Sequence, residues 1–161
     1  MKKAITLLLP LCIGAFILMA ADTKGPAPEV DRPRQLTDRF MATVITNQSV
    51  ATFGIFLRSC WYKPAEAVGE ATTLNGTYLE ASKALEKEIG RQLPGGYEFL
   101  GRRRMGTSFV TYVYVEKHED GLWPWSFTFY KAQNEWKLRV LAFGTSAWDD
   151  MMAMSMPEPA K

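Results

Sequence analysis

Few residues in this chain have the chemistry of a reactive site. His118 is the only histidine, set in the polar run Lys117-His-Glu-Asp120. One histidine can act as a general base or a single metal ligand, but the count excludes a catalytic triad and a multi-histidine metal site. Glu119 and Asp120 add no ligand spacing, so the run reads as a solvated hairpin turn and no metal is assigned. Arg102-Arg103-Arg104 has the charge to hold a phosphate or an acidic partner. On a strand, however, alternate side chains point to opposite faces, and the run reads as a solvated edge. Met151, Met152, Met154 and Met156 carry soft sulfur ligands suited to Cu(I), yet such a run more often frays or covers an apolar patch. Gly95-Gly96 follows a helix signal instead of preceding one, so no phosphate cradle is indicated. No cofactor is expected.

These residues must be positioned by the stretch Trp123-Pro-Trp-Ser-Phe-Thr-Phe-Tyr130. Its odd positions Trp123, Trp125, Phe127 and Phe129 are all large aromatics. A period of two with rings on one face predicts a strand half-buried against a thick layer. Pro124 removes a backbone donor, so a bulge or an edge is expected there. Strands are also predicted over 97–103, 109–117 and 136–143, with turns at His118–Gly121 and Gln133-Asn134. Even-residue loops at both turns place Val110, Tyr112, Tyr114, Trp136, Leu138 and Val140 on the ring face. Thr111, Val113, Val115, Ser126, Thr128, Tyr130, Lys137, Arg139, Leu141 and Phe143 fall on the opposite face, which is mixed, with too many apolar members to be fully wet.

Upstream, the period is helical. Phe40, Met41, Val44 and Ile45 form one apolar stripe. Ser49 is placed to cap a second helix carrying Val50, Phe53, Phe56, Leu57 and Cys60. Pro64 to Ala71 reads as a short helix ending near an Asn75-Gly76 turn. Thr77-Tyr-Leu-Glu80 matches a capping box opening another helix, which Pro94-Gly95-Gly96 stops. Helices first and an antiparallel meander after them predict an α+β domain.

The N-terminus is a different kind of sequence. Lys2 and Lys3, an apolar run from Ala4 to Ala20, and the small pair Ala20-Ala21 have the layout of a secretory signal peptide cleaved near Ala20 or Ala21. Cys12 lies too early for a lipidated cysteine. The reading is a signal peptide over 1–21, a Pro-rich flexible linker over 22–35, a domain over 36–147 and a disordered tail over 148–161. No stable membrane span is expected after cleavage. Without Lys2 and Lys3 the 19 basic residues fall to 17, equal to the 17 acidic ones. The basic balance therefore belongs to the targeting segment, and nucleic-acid binding is not indicated. Past the cleavage site only Cys60 remains, so no internal disulfide is possible, and a buried, inert thiol is expected.

The segments "YEFLGRRRMGTSFVTYVYVEK" and "WPWSFTFYKAQNEWKLRVLAF", preceded by three helices and a Gly-rich stop, resemble the NTF2-like, or cystatin-like, superfamily. The likeness is to its small exported bacterial members and covers about Leu36 to Ser146. It implies N-terminal helices packed on the concave face of a curved antiparallel meander, a cone-shaped pocket at one end, and dimerisation through the outer sheet face. The fold hosts isomerases, dehydratases, binding modules and assembly domains alike. A ketosteroid-isomerase type of site would need a Tyr and a carboxylic acid inside the cone. Tyr112 and Tyr114 supply hydroxyls, but the inner positions named above hold no Asp or Glu, and Glu98 and Glu116 lie at strand ends. The expectation is a non-enzymatic exported domain, in a bacterial periplasm or outside the cell, acting through a protein partner or a small apolar ligand. Tyr112, Tyr114, Trp125 and Trp136 are the candidate pocket residues. Thr128, Tyr130, Arg139, Leu141 and Phe143 are the candidate homodimer face. The alternatives are a small isomerase or dehydratase using the cone, or an assembly domain of an envelope complex.

Overall fold

The computed structural model describes residues 31–155. The expected signal peptide, with Ala20 and Ala21, lies outside the described residues, as do most of the expected linker and residues 156–161. The elements are α1 (Arg32–Val44), α2 (Val50–Cys60), a 3-10 turn (Pro64–Glu66), α3 (Ala67–Ile89), β1 (Gln92–Met105), β2 (Phe109–His118), β3 (Leu122–Ala132), β4 (Glu135–Phe143) and α4 (Thr145–Ser155). The strands form one curved antiparallel meander in the order β1-β2-β3-β4, with helices packed on it, an α+β fold. None of the described helices is long and apolar enough to cross a membrane.

Each helix follows its apolar spacing, with three departures from expectation. α1 begins at Arg32, inside the stretch read as linker. Asp31 caps it by accepting from the Arg34 amide, and Pro33 sits in the first turn, where its missing N–H is harmless. α2 starts as expected, with the Ser49 hydroxyl accepting from the Thr52 amide. α3 is one continuous 23-residue helix, unbroken at Asn75-Gly76. Ala67, Ala71, Asn75 and Tyr78 are buried along one of its faces, and an interior Gly costs only about 1 kcal/mol against that packing. The expected cap, Thr77, instead donates its hydroxyl to the Thr73 carbonyl one turn back. Finally, residues 145–155, mostly read as a fraying tail, form α4. Ala147 is fully buried.

The ring face assembles in the expected register. Val110 pairs with Phe129, Tyr112 with Phe127 and Tyr114 with Trp125. Phe40 of α1 stacks on Phe56 of α2 at 4.4 Å and meets Trp125 and Phe127 edge-on at 5.8 Å, so one ring knits two helices to the sheet. Burying each such ring is worth about 1.5–3 kcal/mol. β4 departs from the simple alternation. The register shifts between Thr128 and Phe129, which leaves Arg139 as an extra residue. Leu138 points inward beside Phe129, but beyond the bulge the phase flips. Leu141 and Phe143 turn to the core, while Val140 is 46% exposed. Pro124 lies in a central strand without a bulge. Its carbonyl accepts from the Gly144 amide just past the end of the β3–β4 ladder, so the missing donor faces a local edge.

α4 lies on the outer sheet face and contacts all four strands. Gly101 pairs with Val113, and a β-carbon built at Gly101 would sit 3.5 Å from the Met154 sulfur. Val113, Val115 and Ser126 are consequently buried although they point away from the ring core.

Candidate functional site

The inner face of β2 carries Tyr112, Tyr114 and Glu116 in phase. Each meets a partner of opposite kind: the two tyrosines meet carboxylates, and the glutamate meets a tyrosine. Glu116, expected at a strand end where it either reaches a pocket mouth or is solvated, is fully buried. Its Oε2 accepts from Trp125 Nε1 of β3 at 3.0 Å and from the Tyr78 hydroxyl of α3 at 3.2 Å. Its Oε1 lies 3.2 Å from His118 Nε2. His118, expected in a wet turn, is 5% exposed, because β2 continues through it and its even position points inward with Glu116. Its Nδ1 is 3.0 Å from the Gly90 carbonyl. A carbonyl only accepts, so Nδ1 carries a proton. Gln48 donates to the Tyr78 hydroxyl at 3.4 Å. Burial pushes the Glu116 carboxyl above the usual carboxylate range, opposed by the Trp125 indole, His118 and Tyr78. Burial and the adjacent Glu116 raise the Tyr78 hydroxyl.

At the other end of β2 the partners are wetter. The Tyr112 hydroxyl donates to Asp31, which also takes Arg102 at 2.7 Å. The Tyr114 hydroxyl donates to Asp38 at 2.8 Å and lies 2.7 Å from Thr37 Oγ1. Asp38 is bound by Arg34, whose guanidinium rests 3.2 Å over the Phe99 ring. The two carboxylate side chains are 31% and 40% exposed. Arg102 is therefore an ion-pair partner, while Arg103 and Arg104 remain on the exposed edge.

The expected pocket residues do not line a pocket. Tyr112, Tyr114 and Trp125 are almost wholly buried and fill the space under the helices, and half-buried Trp136 lies beside Lys131. An opening lies instead beside the C-terminal half of α3, a cleft of about 460 Å³. Leu74, Thr77, Ala81, Ala84, Leu85 and Glu88 form its helical wall. Trp123, Leu141, Phe143 and Gly144–Ser146 form the opposite one. Its size falls within the roughly 300–1,000 Å³ of small-molecule sites, and its lining is mainly apolar. Tyr78 joins the cleft to the buried node. Its ring stacks on Trp123 at 5.1 Å and meets Phe143 at 5.6 Å, while its hydroxyl holds Glu116. A separate polar cavity of about 320 Å³ opens beside His118, lined also by Gln48, Ser82, Lys83, Glu86, Arg91 and Gln92.

The expected dimer face is divided. Leu141 and Phe143 point into the core because of the β4 bulge, and α4 covers the middle of the outer face. Thr128 hydrogen-bonds Thr111 at 2.8 Å, Arg139 reaches over the Tyr62 ring, and Tyr130 lies exposed against Phe109.

Cys60 is buried, donates to the Phe56 carbonyl, and has its thiol pushed up by burial to about 12. It is protonated at neutral pH and unreactive. No group of three or more His, Cys, Asp or Glu fit to hold a metal occurs among the described residues. No protein-family model matches the chain, and neither a curated protein nor a solved structure does.

Proposed function

We propose that the chain is a non-enzymatic binding domain of NTF2-like architecture that takes a small apolar ligand in the α3 cleft. The observation that carries this is the cleft itself, an apolar opening between α3 and the corner where β4 passes into α4. The order of helices and meander is consistent with the NTF2-like reading. An isomerase or dehydratase would need an acid or base facing the ligand. The cleft's one carboxylate, Glu88, is solvent-exposed, and Glu116 does not line the cleft and already meets three partners. Export to a bacterial periplasm or the exterior rests on the residues up to Ala21. Homodimerisation is proposed through the uncovered end of the outer face, around Thr128, Tyr130 and Arg139. The rival role, assembly within an envelope complex, would use the same end.

The test is fluorescence titration with N-phenyl-1-naphthylamine, an uncharged apolar probe. Saturable binding is expected, weakened about tenfold by Ala84→Leu, which fills the cleft from an exposed helix position. Melting should be unchanged in that variant. Absence of saturable binding, or binding indifferent to Ala84→Leu, removes the ligand reading.

A further inference from the structure

Trp123 lines the cleft yet is only 4% exposed, and three rings fix its indole in the wall. Tyr78 stacks on it at 5.1 Å, Phe143 meets it edge-on at 5.7 Å and Trp125 lies tilted at 6.1 Å. The direction of its Nε1–H is therefore set before any ligand arrives. Among the described residues no acceptor takes that proton, whereas the Nε1–H of Trp125, two residues along the same strand, is held by Glu116. An indole nitrogen only donates, and a buried donor without an acceptor is costly to keep. Gly144 explains why this edge stays bare. It lines the same cleft at φ +64°, and a β-carbon built there would lie 2.5 Å from Trp123 Nε1. Gly144 is also pinned in place, its amide donating to the Pro124 carbonyl at 2.9 Å and its carbonyl accepting from the Ala147 amide at 3.0 Å. A glycine suits the positive φ and leaves the N–H edge uncovered.

We propose that Trp123 Nε1–H is the polar anchor of the cleft, and that the ligand is an apolar molecule carrying an uncharged hydrogen-bond acceptor, the carbonyl of a ketone, ester or amide, seated at the corner of Trp123 and Gly144. This rests on the cleft as a binding site and adds what the site selects. The acceptor is uncharged because Glu88 is the one charged residue among those that line the cleft, and no cation stands there to hold a carboxylate. The other polar side chains of the lining do not choose between ligands. The Thr77 hydroxyl donates to the Thr73 carbonyl, and Thr145 and Ser146 are exposed hydroxyls that give and take hydrogen bonds alike. In a pocket with apolar walls, one fixed donor is enough to orient the ligand.

The full chain is loaded with N-phenyl-1-naphthylamine, which is then displaced by two competitors of matched shape. One is 2-acetylnaphthalene, which has the carbonyl, and the other is 2-isopropenylnaphthalene, with a methylene group in place of the oxygen. The ketone is expected to displace the probe at a roughly fivefold lower concentration, the worth of one net hydrogen bond. Trp123→Phe keeps an aromatic ring and lacks the donor, so in that variant the two competitors should become equal. In proton–nitrogen correlation spectra of the wild type, the Trp123 indole resonance should move downfield with the ketone relative to the hydrocarbon, which keeps the test open if Trp123→Phe folds poorly. Equal displacement by the pair, a preference that survives Trp123→Phe, or an indole resonance that responds alike to both competitors overturns the proposal while leaving the cleft as a binding site. No saturable binding of the probe overturns both.

Discussion

The two ends of β2 solve one problem in opposite ways. Tyr112 and Tyr114 meet Asp31 and Asp38 where water and two arginines reach the carboxylates. Four residues along, Glu116 meets Tyr78 with no water and no arginine, only an indole and an imidazole. At the wet end charge is met by charge, and each pair is worth little because solvent screens it. At the dry end the carboxylate is costly to bury, and its partners fix the relative positions of α3, β2 and β3. Geometry at the dry end is thus specified by what it would cost to disturb it.

The strongest way to break this contrast is Glu116→Ala, which strands the Trp125 N–H and Tyr78 O–H. A loss of about 3 kcal/mol in denaturant unfolding is expected, and a loss below 1 kcal/mol would mean that water enters the node. Glu116→Gln should keep the stability within about 1 kcal/mol, because its amide donates to His118 Nε2 and its oxygen accepts from Trp125 and Tyr78. pH sharpens the comparison between the two side chains. Because the carboxyl of Glu116 is held above its unfolded value, its contribution is fully present below the ordinary carboxylate range and is lost as pH rises through the folded value. Glu116→Gln should therefore gain on the wild type as pH rises, and urea melts showing a constant difference would contradict the assignment. At the wet end Asp38→Ala is expected to cost about 0.5–1 kcal/mol, shrinking in high salt. The smallest effect belongs to Ser126→Ala. This buried hydroxyl has no partner under α4, so a change from zero to about 0.5 kcal/mol in favour of the variant is expected in thermal melts.

Much of the sheet was legible because a period of two with bulky rings admits only one register. Glu116 was missed although its signal was present. It is even-numbered, in phase with Val110, Tyr112 and Tyr114, and opposite Trp123. Treating it as a strand end set that parity aside, and His118 was lost with it. α4 also had a signal, since Ala147, Met151 and Met154 recur at helical spacing. The unbroken α3 was not legible locally: a turn dipeptide and a capping box were both overridden by the burial of Asn75 and Tyr78. The Arg139 bulge carries no Gly or turn residue to announce it. It undid the expected inner position of Val140 and the outer positions of Leu141 and Phe143. The cleft was hidden for the same reason, since it depends on Leu141 and Phe143 facing α3.

α4 has one more consequence, for the order in which the chain is made. Val113 and Val115 are synthesised some thirty residues, and Ser126 some twenty residues, before the helix that covers them, as the numbering shows. Until the chain is elongated past residue 155, the sheet has one sealed side and one open side. A nascent chain halted in that window would present valines to its neighbours, as aggregation-prone intermediates do. Truncation after Phe143 should therefore lower soluble yield far more than it disturbs the ring core.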